Sequence, residues 1–248
     1  MLENIKGKRL EIVFQDEKIK LPEDIDLKIK KFWKEAILET PHIWNGEIMY
    51  VNKYFIENDT VYINCKKTDF AHHLYDERIT LPKEYACTNL SAGCLLETSD
   101  NYYIIGELAP DTSFPYCLQV SGGNVDIDDT KEEHINIFQT IIRECKEELN
   151  IDLADKNQVK EFEIRYITKP TKSVKTYLIL AKSVLNMTKE QMIKHYEKYL
   201  KYLIENDLEV EFSNIYFIKK DNISEELDSL DNPKRDYLKN LLEVDSVN

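Results

Sequence analysis

The sequence predicts an α+β fold made of a small N-terminal α/β lobe, residues 1–85, and a larger unit, residues 86–248. Short alternating or continuous apolar runs, typical of β-strands, occur in both parts. Stretches with apolar residues at helical spacing separate these runs. The pattern changes after Leu81-Pro82, and this change places the boundary. With 42% hydrophobic residues in 248, the chain can bury a large core.

The N-terminal lobe is predicted to contain one helix and three strands. They are, in order, a strand at 9–14, a helix at 24–38 and a hairpin of strands at 49–56 and 61–65. The helix is predicted by apolar residues at three- and four-residue steps. The hairpin is predicted because Glu57-Asn58-Asp59 separates two extended runs.

The larger unit is predicted to alternate strands and helices. In order, these are strands at 91–96, 102–108 and 117–120, a helix at 131–149, strands at 162–168 and 176–182, a helix at 188–205, a strand at 214–219 and a helix at 234–242. The helix at 131–149 has an apolar stripe at helical spacing, and Thr130 with Glu133 fits a capping box at its start. Asn150 suits its end, because Asn tolerates the left-handed conformation that stops helices.

Composition excludes several classes of function. The formal charge of −13 argues against a nucleic-acid partner, because such binding depends on Lys and Arg neutralising phosphates. The five cysteines are scattered and form no C-x-x-C pair, so neither a disulfide framework nor a zinc site is indicated. No apolar run is long enough to span a membrane. We therefore expect a cytoplasmic protein with a small-molecule partner; the oligomeric state stays open.

An acidic cluster lies on the helix predicted at 131–149. Glu144 stands three residues before Glu147 and four before Glu148, so the three carboxylates can converge on one helix face. Their mutual repulsion is unfavourable unless a divalent cation such as Mg²⁺ binds them through oxygen. The preceding Gly122-Gly123 permits a tight turn beside them. An ordinary solvated face is the alternative interpretation.

The pair Gly122-Gly123 followed by R-E-C-K-E-E, which begins at Arg143, resembles the Nudix box of hydrolases that cleave nucleoside diphosphates linked to another group. The resemblance implies an α/β/α sandwich over residues 86–248 and Mg²⁺, with Mn²⁺ possible, as cofactor. It implies metal binding by Glu144, Glu147, Glu148 and the Gly122 carbonyl. Glu144 or a neighbouring residue would order the attacking water, and Arg143 would anchor the helix through a loop carboxylate.

The sequence departs from the usual box in three places. The twenty-residue step from Gly123 to Arg143 is longer than usual, and Asn150 replaces the closing glycine. The glutamate expected in the middle has no clean counterpart; the candidates are Asp128, Asp129, Glu132 and Glu133.

Four short segments resemble the uridine diphosphate glucose pyrophosphatase branch of this family. They are F-W-K-E-A-I-L-E-T-P-H-I-W-N-G from Phe32, T-D-F from Thr68, M-T-K-E-Q-M-I-K-H-Y from Met187 and E-F-S-N-I-Y-F from Glu211. This resemblance implies hydrolysis of a UDP-hexose to a nucleoside monophosphate and a sugar 1-phosphate. ADP-ribose or a dinucleotide such as NADH is the alternative substrate, and a non-catalytic nucleotide-binding module is the alternative class.

Further site residues are predicted around this cluster. Glu211 matches a position where relatives place a distal metal-binding carboxylate. Gly123, Lys172 and Thr68 are predicted to contact substrate; Lys172 belongs to a basic loop that suits phosphate, although solubilising charge is an alternative role. Trp44 is interpreted as a core or lobe-interface aromatic, with base stacking as the alternative.

Overall fold

A computed structural model describes residues 2–41, 43–131, 134–171 and 174–247. These residues form strands and helices that alternate along the chain. The strands are β1 (Leu2–Asn4), β2 (Arg9–Lys18), β3 (Glu47–Glu57), β4 (Thr60–Asp69), β5 (Asn89–Glu97), β6 (Tyr102–Leu108), β7 (Leu118–Gln119), β8 (Ser121–Asn124), β9 (Thr130–Lys131), β10 (His134–Ile135), β11 (Val159–Thr168), β12 (Thr176–Leu185) and β13 (Phe212–Lys219). The helices are α1 (Glu23–Glu39), α2 (Phe70–Ile79), α3 (Ile137–Leu149), α4 (Lys189–Glu205), α5 (Ile223–Asp228) and α6 (Leu238–Ser246).

Strand β5 is the central element of a mixed sheet. It pairs in parallel with β12 and antiparallel with β6 and β8, and it meets β3 where Tyr50 lies opposite Asn89. The main path of the sheet runs β1-β11-β12-β5-β3-β4-β2-β10-β9. The strands of residues 1–85 therefore continue the sheet of the larger unit, and β1 pairs with β11. The division at residue 85 stays a prediction.

Helices cover both faces of the sheet. Residues Leu95 and Leu96 are neighbours on β5, yet they belong to different hydrophobic clusters, because successive strand side chains point to opposite faces. The Leu96 cluster contains buried residues of α3 and α4, and the Leu95 cluster contains those of α5 and α6. A third, smaller cluster joins α1 to α2 through Ile29 and Ala71. The α+β prediction is confirmed, with helices, sheet and helices as layers.

The predicted start of the acidic helix is wrong. Helix α3 begins at Ile137 rather than at residue 131, so Thr130 does not cap it. The backbone before α3 pairs as strands instead: His134 lies opposite Val13 of β2 and Lys131 of β9. Strands β9 and β10 thus pair with each other and extend the sheet beyond β2. The predicted end of the helix is confirmed, because Asn150 adopts a left-handed conformation with φ of 54°.

The last helix also begins later than predicted, at Leu238 rather than at residue 234. The backbone just before it pairs with β7 instead: the Leu118 N–H donates to the Pro233 carbonyl, and the Arg235 N–H donates to the Leu118 carbonyl. Helix α2 was not predicted. All five cysteines are buried and free. In the part of the chain that the structure describes, no helix is long and apolar enough to cross a membrane.

Candidate functional site

Two glycines of β8 allow this strand to pack very closely against β5 and α3 at the site. Gly122 has φ of 152°, and a Cβ atom there would lie 2.5 Å from the carbonyl oxygen of Ala92. A Cβ atom on Gly123 would lie 2.6 Å from Oε1 of Glu144. Any larger residue would therefore push β8 away from β5 or displace the Glu144 carboxylate. The glycine pair is what lets α3 bring its carboxylates against the sheet.

Three carboxylates meet at this point. One oxygen from each of Glu144, Glu148 and Glu211 lies within 4.8 Å of the others, and we call this set the carboxylate trio. The Gly122 N–H donates to Oε2 of Glu148 at 2.9 Å, whereas Oε1 of Glu148 is buried without a hydrogen-bond partner. Glu211 comes from the segment before β13, where its carbonyl accepts from the Ala109 N–H at 2.8 Å. Helix α3 and the segment before β13 thus place carboxylate oxygens close together.

Burial and mutual repulsion make the charged form of the trio unfavourable. Burial raises the pKa of Glu144 to about 8; Arg143 opposes the shift and Glu211 adds to it. Burial, reinforced by Glu209 and Glu147, raises the pKa of Glu211 to about 7. The pKa of Glu148 also lies well above its usual range, through burial and the charges of the other two. Such a set of oxygen acceptors fits a hard divalent cation, which would supply the missing positive charge.

Arg143 ties the acidic helix to the loop that precedes it. Its guanidinium donates to Glu144 at 2.7 Å and to Glu147 at 3.3 Å, and it lies 3.5 Å from Asp129. Asp129 is itself buried and accepts from the Thr140 hydroxyl at 2.6 Å. Among the four candidates for the missing loop carboxylate, Asp129 is therefore the described residue that contacts Arg143.

The other predicted site residues fall in different places. Glu147 is 59% exposed at its side chain and lies outside the trio, although it lines the adjoining cavity with Gly122 and Gly123. Thr68 is buried, its hydroxyl 2.7 Å from Nδ1 of His72, and it does not line that cavity. Lys172 lies outside the described residues. Their roles in metal or substrate binding stay predictions.

A cavity of about 460 Å³ adjoins the trio. Glu144 and Glu211 line it on the α3 side. The N-terminal lobe contributes Phe70 and Trp44, whose side chain is 75% exposed. Aromatic faces and carboxylates around one concave space suit a polar ligand with a flat or ring-shaped part. Both parts of the chain therefore build one site.

Glu77 and Arg235 are among the polar residues of the cavity wall that were not identified from the sequence. Glu77 lies on α2, a helix whose pattern was not recognised. Arg235 lies in a stretch predicted as helix, whereas its backbone pairs with β7. Neither residue belongs to a motif, so only the three-dimensional arrangement reveals them.

No protein-family model and no curated protein matches the chain. Solved structures with a similar fold include the DR0079 protein of Deinococcus radiodurans, at 16% identity and a TM-score of 0.45 over 80% of this chain and 98% of that one. A NUDIX hydrolase from Alicyclobacillus acidocaldarius shares 13% identity, with a TM-score of 0.44 over 62% and 89% of the two chains.

A third similar structure is a bifunctional NMN adenylyltransferase/ADP ribose pyrophosphatase from Francisella tularensis, complexed with AMP and a manganese ion. It shares 15% identity and has a TM-score of 0.30 over 48% of this chain and 42% of that one. Identities and scores this low do not assign the chain to a family.

Proposed function

We propose that this chain is a metal-dependent hydrolase of the Nudix type, which cleaves the pyrophosphate bond of a nucleoside diphosphate linked to a sugar. The proposed substrate is a UDP-hexose, and the products are a nucleoside monophosphate and a sugar 1-phosphate. The observation that carries this proposal is the carboxylate trio beside the cavity, with one buried oxygen of Glu148 left without a partner. The Nudix-like order of these residues in the sequence supports the same reaction.

Mg²⁺ or Mn²⁺ is the proposed cofactor, held by Glu144, Glu148 and Glu211. Hard carboxylate ligands suit both ions. The Gly122 carbonyl and Glu147 are proposed as further oxygen ligands. When bound, such an ion neutralises charge on phosphate oxygens and activates water for attack on phosphorus.

Several residues of the chain have proposed roles around that ion. Glu144 faces the cavity, and we propose that it accepts the proton of the attacking water. Arg143 donates to Glu144 at 2.7 Å and so fixes the direction of that carboxylate. The Gly122 N–H holds Glu148 in the same way. Gly123 lets substrate approach the backbone, and Lys172 is proposed to contact a phosphate.

The charge of the cavity explains why a cation would be required. Eight carboxylate residues line it, against two arginines among the described residues: Glu47, Glu77, Asp111, Asp126, Glu144, Glu147, Glu209 and Glu211 against Arg143 and Arg235. An anionic diphosphate would be repelled by such a surface. A bound divalent ion offsets part of this negative charge and gives the diphosphate oxygens a cation to bind.

A turnover panel tests the proposal. Purified protein with Mg²⁺ is given UDP-glucose, ADP-ribose and NADH in turn, and released phosphomonoesters are detected with a coupled phosphatase. We expect the highest kcat/KM for UDP-glucose and no turnover when EDTA replaces Mg²⁺. A preference for ADP-ribose or NADH would correct the substrate. Binding of UDP-glucose without Mg²⁺-dependent product would contradict the hydrolase and favour a nucleotide-binding module.

A further inference from the structure

One wall of the cavity contains a carboxylate without a hydrogen bond, on a side chain that is mostly buried. Glu77 of α2 lines the cavity, and its side chain is only 7% exposed. No hydrogen bond to its carboxylate forms among the described residues, and the ring nitrogen Nε2 of His73 lies 3.9 Å away. Buried polar groups are normally hydrogen-bonded, because an unpaired one loses its interactions with water. The carboxylate of Glu77 is therefore open to a hydrogen-bond donor from a ligand in the cavity.

His73 does not neutralise this carboxylate at neutral pH. Burial lowers the pKa of His73 to about 4, and the charge of Arg235 contributes to the shift. The imidazole is then uncharged at pH 7, and 3.9 Å is too long for a hydrogen bond. His73 and Glu77 are thus neighbouring polar side chains that do not form an ion pair.

Arg235 is a cation of the same cavity with free hydrogen-bond donors. Its guanidinium lies over the ring of Phe114, 4.4 Å from the centroid, and its backbone N–H donates to the Leu118 carbonyl at 3.0 Å. Within the described part of the chain, the guanidinium forms neither a hydrogen bond nor an ion pair. Arg143, the other cation of the wall, is engaged with Glu144 and Glu147. Arg235 is therefore held in place, yet its five N–H donors stay available.

The positive charge of Arg235 acts on Glu77, but the two side chains form no ion pair. Burial raises the pKa of Glu77, and the positive charge of Arg235 partly offsets that rise. No ion pair joins the two side chains, although both line the cavity. A third polar group, the buried Oδ1 atom of Asn89, also lines the cavity without a hydrogen-bond partner. The wall thus offers acceptors and donors that are kept apart from each other.

The chemistry of this wall selects among ligand groups. A phosphate would satisfy Arg235 but would be repelled by Glu77. An amino group would satisfy Glu77 but would be repelled by Arg235. A hydroxyl group can donate to a carboxylate and accept from a guanidinium at the same time, and sugars present several hydroxyls side by side. An acidic side chain that receives a sugar hydroxyl is a known arrangement in nucleotide sites.

We propose that Glu77 and Arg235 bind the sugar hydroxyls of the substrate and so form the hexose subsite of this cavity. The inference rests on the proposed function for the identity of the sugar. It assigns specificity to residues from two distant parts of the chain, α2 and the segment before α6. Phe114 positions Arg235 in this subsite through its ring.

Equilibrium binding separates this subsite from the rest of the site. Isothermal titration with Mg²⁺ compares UDP-glucose with UDP, which lacks the hexose, for the wild type and the variants Glu77→Gln and Arg235→Lys. Both ligands carry a methylene group in place of the oxygen between the phosphorus atoms, so that the protein cannot hydrolyse them during the titration. We expect each variant to weaken UDP-glucose binding about tenfold, as for a lost hydrogen bond to a charged group, and to change UDP binding less than about twofold. Circular dichroism confirms that each variant is folded; if Glu77→Gln is not, Arg235→Lys alone decides.

Matched variants control for charge and for ring stacking. Glu47 also lines the cavity, but its side chain is half exposed and lies 3.9 Å from Lys67. Arg78 also lies over a phenylalanine ring, that of Phe32 at 5.6 Å, but outside the cavity wall. We expect Glu47→Gln and Arg78→Lys to leave the ratio of the UDP-glucose affinity to the UDP affinity unchanged.

Three outcomes would overturn the subsite. Equal weakening of UDP and UDP-glucose would place Glu77 and Arg235 at the base or the phosphates. No weakening of either ligand would mean that the wall holds only water. Wild-type protein that binds UDP-glucose no better than UDP, or binds neither ligand, would show that no hexose subsite exists. Selective weakening in a protein that does not hydrolyse UDP-glucose would retain the subsite and reject only the proposed reaction.

Discussion

Two buried clusters of charged residues lie in this molecule, and they are built on opposite principles. The first, which we call the paired cluster, consists of Glu97, Lys182 and Asp245 with the residues bonded to them. Lys182 bridges Glu97 at 2.5 Å and Asp245 at 3.0 Å. The hydroxyls of Tyr103 and Tyr166 donate to Asp245 at 2.8 and 2.9 Å. The second cluster is the carboxylate trio, in which like charges meet.

The pKa of Asp245 in the paired cluster and the pKa values of the trio carboxylates shift in opposite directions. Burial acts to raise the pKa of Asp245, but Lys182 and the two tyrosine hydroxyls outweigh it, and the pKa is lowered. Burial acts in the same direction on Glu144, yet there Arg143 does not outweigh it, and the pKa rises to about 8. Burial is thus common to both clusters, and the completeness of pairing decides the outcome.

The difference indicates what each cluster contributes. The paired cluster attaches helix α6 to β5, β6 and β12 with its charges compensated inside the protein, so its role is structural. The trio leaves a buried oxygen of Glu148 without a partner and keeps three like charges together. A site of this kind persists in a folded protein when something outside the chain completes it. The first cluster should therefore control stability, and the second should control metal binding and turnover.

The largest expected effect is a loss of stability when a charge of the paired cluster is removed. Asp245→Ala leaves Lys182 buried without one of its two carboxylates and removes the acceptor of both tyrosine hydroxyls. We expect the free energy of unfolding to fall by about 3–5 kcal/mol in urea denaturation. Asp228→Ala is the control, because Asp228 is 59% exposed and pairs with Lys239 at the surface; it should cost less than about 1 kcal/mol. Equal losses for the two variants would remove the structural role of the paired cluster.

The next effect separates the members of the acidic helix. Glu148→Gln removes a trio carboxylate with little change in shape, so kcat with Mg²⁺ should fall by about 100-fold or more. The metal-free variant should be at least as stable as the wild type, because a buried carboxyl group whose charged form is unfavourable has been removed. Glu147→Gln should lose clearly less activity, since that side chain is exposed and paired with Arg143. Near wild-type turnover in Glu148→Gln would contradict the metal-site assignment, and an equal loss in Glu147→Gln would make Glu147 as important a ligand as Glu148.

A smaller effect concerns the pH dependence of the metal-free protein. Between about pH 4.5, the ordinary pKa of a glutamate, and about pH 8, folded Glu144 keeps a proton that the unfolded chain has released. The folded state then binds more protons, so the stabilising contribution of this group, complete below pH 4.5, is lost as the pH rises to 8. Thermal unfolding with EDTA should give a Tm that falls over this range, less steeply in Glu144→Gln. Identical slopes in the two proteins would contradict the raised pKa.

The smallest expected effect concerns Lys220, a partly exposed member of the paired cluster. Lys220 bonds Glu97 at 3.0 Å, but its side chain is partly exposed. Lys182 still compensates Glu97 when Lys220 is replaced. We therefore expect Lys220→Met to lower the free energy of unfolding by about 0.2–1 kcal/mol, measured as for Asp245→Ala. A loss as large as that of Asp245→Ala would mean that the charges of this cluster cannot be ranked by burial.

Local patterns in the sequence predicted most of the described elements. The hairpin of β3 and β4, the strands β11 and β12 and the helix α4 depend on neighbouring residues. They were predicted close to their observed bounds. The start of α3 was not, because His134 of β10 pairs with Val13 of β2, which is more than a hundred positions away. Local propensity cannot register such a partner.

The site residues, too, were predictable only where neighbouring residues in the sequence carry a signal. Glu144 and Glu148 follow from their helical spacing, and Glu211 follows only from resemblance. Glu147 has the same spacing as its neighbours, but spacing does not reveal that its carboxylate turns towards Arg143 and solvent. Glu77 and Arg235 lack any local signal, because the cavity brings together α2 and the segment before α6.

Titration of Mn²⁺ and Mg²⁺ into metal-free protein tests the central claim most directly. Calorimetry at pH 8, where more of the trio is deprotonated, compares the wild type with Glu148→Gln and Glu205→Gln, the latter an exposed glutamate at the end of α4. The account predicts saturable binding to the wild type and to Glu205→Gln, and binding at least about tenfold weaker in Glu148→Gln. Absence of saturable binding of either ion to the wild type, or equal affinity in all three proteins, would contradict it.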